Sequence, residues 1–201
     1  MIFNLLLEAF FLLFPLAFFR KHGLNAVKEL GLERKKASSA CKQSLIILGA
    51  MAFASIALSF AFIALGINDI SKVSEALLEA KSASLFFAFS LTIGVFLEEF
   101  FFRGFLIKYF EELFFPKFHA KKAKSAKAKL NNFFAEYSGV LASSIIFGLM
   151  HVLYGSIAEI AGAMALGAVL AFFWKKYKNL YANVYAHLLW NAIILIVGAM
   201  V

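Results

Sequence analysis

The chain of 201 residues predicts an all-α fold, a polytopic membrane helical bundle with about six transmembrane helices. Three observations predict it. Apolar residues make up 63% of the chain and mean hydropathy is +0.84, whereas soluble domains are nearer half apolar. Six apolar segments, at residues 2–19, 43–66, 84–110, 137–154, 156–174 and 180–200, approach or exceed the roughly 20 residues that a membrane span needs. The loops between them alternate between strongly basic and not.

The first segment has no basic n-region and no small-residue cleavage site, so it reads as a retained helix and not a signal peptide. Pro15 falls near its end and Pro116 just past the third span, so neither breaks a central helix. Arg20 to Lys42 holds seven Lys/Arg, Lys117 to Lys129 holds six, and the Lys175–Lys178 turn holds three. Residues 67–83 set Lys72 and Lys81 against Asp69, Glu75 and Glu79, and the Tyr154–Gly155 turn is uncharged. The positive-inside rule then places the three basic loops in the cytoplasm of a multi-pass cell-membrane protein, with both termini outside. The net charge of +8 is accounted for by those loops and does not point to nucleic acid. The Lys/Ala-rich stretch from Lys121 to Lys129 reads as a solvated loop or helix extension beside anionic headgroups of the lipid bilayer. Cys41, the single cysteine, has no disulfide partner and no metal-ligand spacing. In the fifth span Ala158, Gly162, Ala163, Gly167 and Ala171 let helices approach closely.

Chemistry-bearing residues gather in the third, fourth and sixth spans. Within 84–110 stand Glu98, Glu99 and Arg103, and each charge at the centre of a membrane helix costs roughly 2.5–3.5 kcal/mol. Glu99 and Arg103 are four apart and can pair on one helix face, whereas Glu98 points about 100° away. The fourth span aligns Ser143, Phe147 and His151, and the sixth aligns His187 and Asn191. Buried separately, these groups would each lack a hydrogen-bonding partner; gathered round one cavity they satisfy one another. Glu8 and Glu159 lie near the predicted outer face, where a carboxylate reaches headgroup water. His22 and His119 sit in basic loops and require no special role.

Glu, two His and Asn without a Ser or Cys nucleophile suggest hydrolysis by an activated water. A carboxylate beside a like charge suits a general base, and His and Asn are donors fit for an oxyanion. The zinc motif His-Glu-x-x-His is absent, as is Gly-x-Ser-x-Gly. Three motifs in order, Glu98-Glu99-Phe100-Phe101-Phe102-Arg103, Phe147-Gly148-Leu149-Met150-His151 and His187-Leu188-Leu189-Trp190-Asn191, closely resemble the CAAX-protease and bacteriocin-processing family of intramembrane endopeptidases. That family includes the type II CAAX prenyl proteases. The resemblance covers roughly residues 84–200, the last four helices. Residues 1–83 carry no motif and read as two N-terminal helices with a basic loop, and 84–201 as the protease core.

The resemblance implies that Glu98 and His151 polarise the catalytic water and that His187 with Asn191 forms the oxyanion hole. Glu99, Arg103 and Phe147 support them. The implied substrate is a peptide or membrane protein, either a prenylated C-terminal tail or a leader-bearing peptide. Metal-free catalysis is the favoured expectation, because Asn is a poor zinc ligand and a good oxyanion donor; Glu98, His151 and His187 would be the ligands if zinc were used. Two rival readings are a non-catalytic scaffold that keeps the motifs for packing, and a proton-relay or transport protein. No inverted repeat or pair of interrupted helices favours transport. With these boundaries His187 lies about 10 Å and His151 about 20 Å from the cytoplasmic face, so a shared site requires tilt or shifted helix ends.

Overall fold

The computed structural model describes residues 2–67, 69, 90–114 and 126–198. The start of the third predicted span, most of the 67–83 loop, His119 and the first half of the Lys/Ala-rich stretch lie outside the described residues. Those described form helices and turns, with no strand. Seven helical elements follow in order. They are α1 (Ile2–Lys21), the short α2 (Ala26–Glu29), α3 (Arg34–Leu65), α4 (90–114), α5 (Ala126–Leu149), α6 (Ile157–Tyr177) and α7 (Leu180–Gly198). Among the described residues, four stretches are long and apolar enough to cross a membrane: Ala26–Leu65, Tyr137–Tyr154, Ile157–Tyr177 and Leu180–Val197. The described parts of α1 and α4 fall outside that set.

Helix α1 runs through Pro15 and ends on Arg20 and Lys21, which complement the negative end of the helix dipole. Helix α3 starts at Arg34 instead of the predicted 43, because Lys, Ser, Ala and Gln prolong a helix readily beyond the apolar stretch. It closes at Gly66 in the left-handed conformation, with Ile67 N–H bonded back to Phe62 O at 2.9 Å. Ala40, Ser44, Ile47 and Met51 form its buried stripe, while Phe53, Ile56, Phe60 and Ile63 on other faces are exposed. Apolar exposure of that extent is what a lipid-facing surface requires.

Helix α4 is irregular. Ser90–Gly94 and Phe100–Leu106 are wound as π-helix on either side of the α-helical Val95–Glu99, and Ile107–Phe114 completes it. Every residue from Phe100 to Leu106 is buried, so this segment is the axis of the bundle. Helix α5 tightens to a 3₁₀ turn over Met150–Tyr154 and stops at Gly155. Helix α6 begins at Ser156, whose hydroxyl accepts Glu159 N–H at 3.0 Å. The Asp69 carboxylate, from the loop after α3, accepts Ile157 N–H at 2.6 Å and Ala158 N–H at 3.2 Å.

Both N-terminal helices pack on the motif-bearing ones. Phe11 of α1 stacks on Phe101 at 4.6 Å, and Phe14 and Phe18 meet Phe105 edge-on at 5.3 and 5.0 Å. Ala40, Ile47 and Met51 of α3 share a cluster with Leu170 of α6 and Ala182 and Ala186 of α7. Small residues bring α5 and α6 together: Gly148 lies against Met164 and the Ile160 carbonyl, and Gly167 against the Phe147 ring. Ala158, Ala163 and Ala171 are buried as that role requires, but Gly162 faces open space and does not share it.

Candidate active site

The polar centre is built from α4 and α7, with α5 closing one side. Glu99 and Arg103 have no exposed surface, and Arg103 Nε lies 3.3 Å from Glu99 Oε2. The guanidinium covers the Phe147 ring at 4.5 Å from its centroid, so the ring of α5 supports a cation whose own nitrogens lack an aligned acceptor among the described residues. Glu99 holds two more partners. His187 Nδ1 lies 2.9 Å from its Oε1, and Asn183 Nδ2 donates to its Oε2 at 3.2 Å. Glu99 is therefore the hub of the cluster, bound by residues of both α4 and α7.

Glu98 is different. Its side chain is 34% exposed, and its Oε2 lies 3.9 Å from His187 Nε2. His187 thus stands between two carboxylates, one sealed and one open. His151 sits in the 3₁₀ turn, half-buried, with Nδ1 2.8 Å from the Phe147 carbonyl. A carbonyl only accepts, so Nδ1 carries the proton and Nε2 is left as an acceptor in the neutral ring. The Phe147 ring touches both imidazoles, at 5.0 Å from His151 and 5.9 Å from His187. The two imidazoles thus share one neighbour, a turn before His151 on α5, although the sequence sets them about 10 Å apart in depth. Asn191 follows one turn after His187, partly buried, and its amide has no hydrogen-bond partner among the described residues.

Ser143 is on the same face as Phe147 but ties helices together; its hydroxyl donates to Phe102 O at 2.7 Å. A π-helical turn leaves a backbone carbonyl without its usual partner, and Ser143 supplies one from α5.

Two further carboxylates lie within electrostatic range of the site. Glu8, three residues before the Phe11 that stacks on Phe101, interacts with Glu98, and its Oε2 is buried with no hydrogen-bond partner among the described residues. Glu159, in the first turn of α6, interacts with His151, beside which Tyr154 stacks at 5.9 Å. Asn183 was not anticipated at all. Its signal was present as the four-residue series Asn183, His187, Asn191 along α7, continued by Asn179 just before it.

Among the described residues no three His, Cys, Asp or Glu side chains stand together as a metal-holding group. The Nδ1 of His187 is held by Glu99 and that of His151 by the Phe147 carbonyl, so each ring has its Nε2 left for substrate, water or a metal.

Buried in an apolar helical bundle, a carboxylate–imidazole cluster with one open carboxylate defines a membrane protein equipped for proton-transfer chemistry. A family model, type II CAAX prenyl endopeptidase Rce1-like, matches residues 80–193, and the chain belongs to that family. It is accordingly a multi-pass membrane protease of the CAAX endopeptidase type, acting on a peptide or protein substrate. No curated protein and no solved structure matches the chain significantly.

Proposed function

We propose that the protein cleaves a peptide bond in the prenylated C-terminal tail of its substrate, using a water activated by Glu98. The observation that carries this reading is the contrast between the two neighbouring carboxylates. Glu99 is saturated by Arg103, Asn183 and His187, whereas Glu98 is open and faces His187 Nε2. An acceptor without fixed partners is the one able to take a proton from water. His151 Nε2, the unprotonated ring nitrogen, accepts the second hydrogen of that water and orients it. The hydroxide attacks the scissile carbonyl carbon, and the negative charge that forms on oxygen is met by the side-chain donors of Asn191 and His187. Collapse breaks the C–N bond, and the proton held by Glu98 passes to the leaving amine.

The test uses purified protein in liposomes with a farnesylated peptide ending in a CAAX-type sequence, its unprenylated copy and a leader-bearing peptide, with cleavage read by mass spectrometry. Wild type cuts the farnesylated peptide, and Glu98→Gln, which keeps shape but not basicity, lowers turnover by about 10²–10⁴-fold. Activity survives prolonged chelation. A fully active, folded Glu98→Gln would remove Glu98 as the base, and activity lost to chelator and restored by zinc alone would recast Glu98, His151 and His187 as ligands. Cleavage of the leader-bearing peptide alone would overturn the substrate assignment.

A further inference from the structure

Asn183 has no exposed surface and lies on α7 one turn before His187. Its side-chain nitrogen meets two oxygens that can only accept: the Leu170 carbonyl of α6 at 2.8 Å and Glu99 Oε2 of α4 at 3.2 Å. Those two acceptors decide which end of the amide is the nitrogen, because an oxygen turned toward them would be repelled by both. The amide oxygen on the other side has no partner among the described residues. A buried amide that leaves one end unpaired is a cost the fold carries, and α7 could have carried an apolar residue there without it.

That cost brings one identifiable result. The Arg103 guanidinium lies 3.3 Å from Glu99 Oε2 without aligned hydrogen-bond geometry, and that contact alone leaves the carboxylate free to rotate about its last bond. Asn183, tied to the backbone of α6, holds the same Oε2 from another helix and stops the rotation. Oε1 is thereby aimed at His187 Nδ1, 2.9 Å away. An ionised carboxylate there keeps the proton on Nδ1 and directs Nε2 toward Glu98.

We infer that Asn183 is a positioning residue which, by fixing the Glu99 carboxylate against the α6 backbone, sets the ring orientation and Nδ1 protonation of His187. The inference rests on the proposed function for what His187 does, and on geometry alone for how it is held. Loss of a group that orients a functional histidine through a second residue typically lowers function about 10–100-fold.

The experiment compares wild type with Asn183→Leu, which removes the donor at similar volume, and Asn183→Ser, which restores a donor. Two readouts are taken on the folded fraction. Nitrogen-15 NMR of histidine-labelled protein, with His187→Gln to assign the signal, shows a protonated Nδ1 in wild type. In Asn183→Leu it shows a mixture of Nδ1–H and Nε2–H rings, and Asn183→Ser moves back toward wild type. On the farnesylated peptide, kcat of Asn183→Leu falls about 10–100-fold while KM stays within about threefold. The NMR readout needs no turnover, so absence of cleavage by wild type would count against the proposed function and leave this inference to the ring signal. If Asn183→Leu loses thermal stability but keeps the wild-type ring signal and the wild-type kcat per folded molecule, the residue is only structural and the inference is overturned. If Asn183→Leu does not fold, Asn183→Ala, which also lacks the donor, decides it by the same two readouts.

Discussion

Arg103 and Glu99 are sealed from solvent on every side, and each is therefore the condition for the other's charge. Removing one partner of a buried pair strands the other and costs roughly 3–5 kcal/mol. Arg103→Met should accordingly lower thermal stability and folded yield by an amount of that order. Adding Glu99→Gln to Arg103→Met should recover much of the loss, since no uncompensated charge then remains in the bundle. A double variant no more stable than the single one would show that packing of the guanidinium on Phe147, at 4.5 Å, outweighs the charge pairing. The pairing of Glu99 with Arg103 was legible from spacing alone, because four residues apart is a fixed geometric relation on a helix. The attachment of His187 and Asn183 to the same carboxylate was not, because spacing within α4 says nothing about which face of α7 meets it.

The element that joins the two halves of the chain is the strap between α1 and α3. Within it α2 is capped by Asn25, which accepts Lys28 N–H at 3.1 Å. Leu30 then inserts among Phe19, Phe100, Ile107, Leu180 and Val184, against Gly104, where a Cβ would collide with its side chain. Leu30 O accepts Leu180 N–H at 3.1 Å, and Gly31 lies against the Lys178 carbonyl so closely that a Cβ there would strike it. Gly23 and Gly31 have nearly equal positive φ, 63° and 67°, but Gly23 has open space around it. Gly23→Ala should therefore cost only the roughly 1–2 kcal/mol of left-handed strain, whereas Gly31→Ala should cost clearly more because the α6–α7 turn must also move. Equal losses in thermal stability would mean that strap docking contributes nothing. None of this was visible in the strap's sequence, whose basic residues dominate its composition and point only to the headgroup region.

Among the described residues, the first basic loop and the Lys175–Lys178 turn meet beside the end of α4. Lys36 donates to the Lys178 carbonyl, Lys108 pairs with Glu29 at 3.0 Å, and Lys175 pairs with Glu111 at 2.6 Å. Asp69 and the Tyr154–Gly155 turn, from the non-basic loops, meet at the start of α6, the opposite end of that helix from Lys175. For the described parts of the loops, basic and non-basic segments thus lie at opposite ends of α6. If the basic end is cytoplasmic, as the positive-inside rule requires, the native Cys41, exposed near the start of α3, lies inside the cell. A membrane-impermeant maleimide should label Cys41 only after the cells are opened. Labelling in intact cells would reverse the orientation.

The helical, membrane-embedded character and the family were determined by the sequence itself. Both follow from local properties: runs of apolar residues, the sign of loop charges, and four-residue spacings that stay on one helix face. The expectation of six spans and the division at residue 83 likewise came from linear pattern; in space α1 packs through Phe11 on α4, and α3 through Ala40, Ile47 and Met51 on α6 and α7. Only the tertiary structure decided which carboxylate is sealed and which is open, since neighbouring Glu98 and Glu99 are chemically identical until α7 and α5 are packed against one of them. It also decided that Asn183 holds Glu99, the carboxylate on which His187 rests. Those outcomes depend on how helices rotate about their axes to bury phenylalanine against phenylalanine, a property of the assembled bundle that no single helix carries.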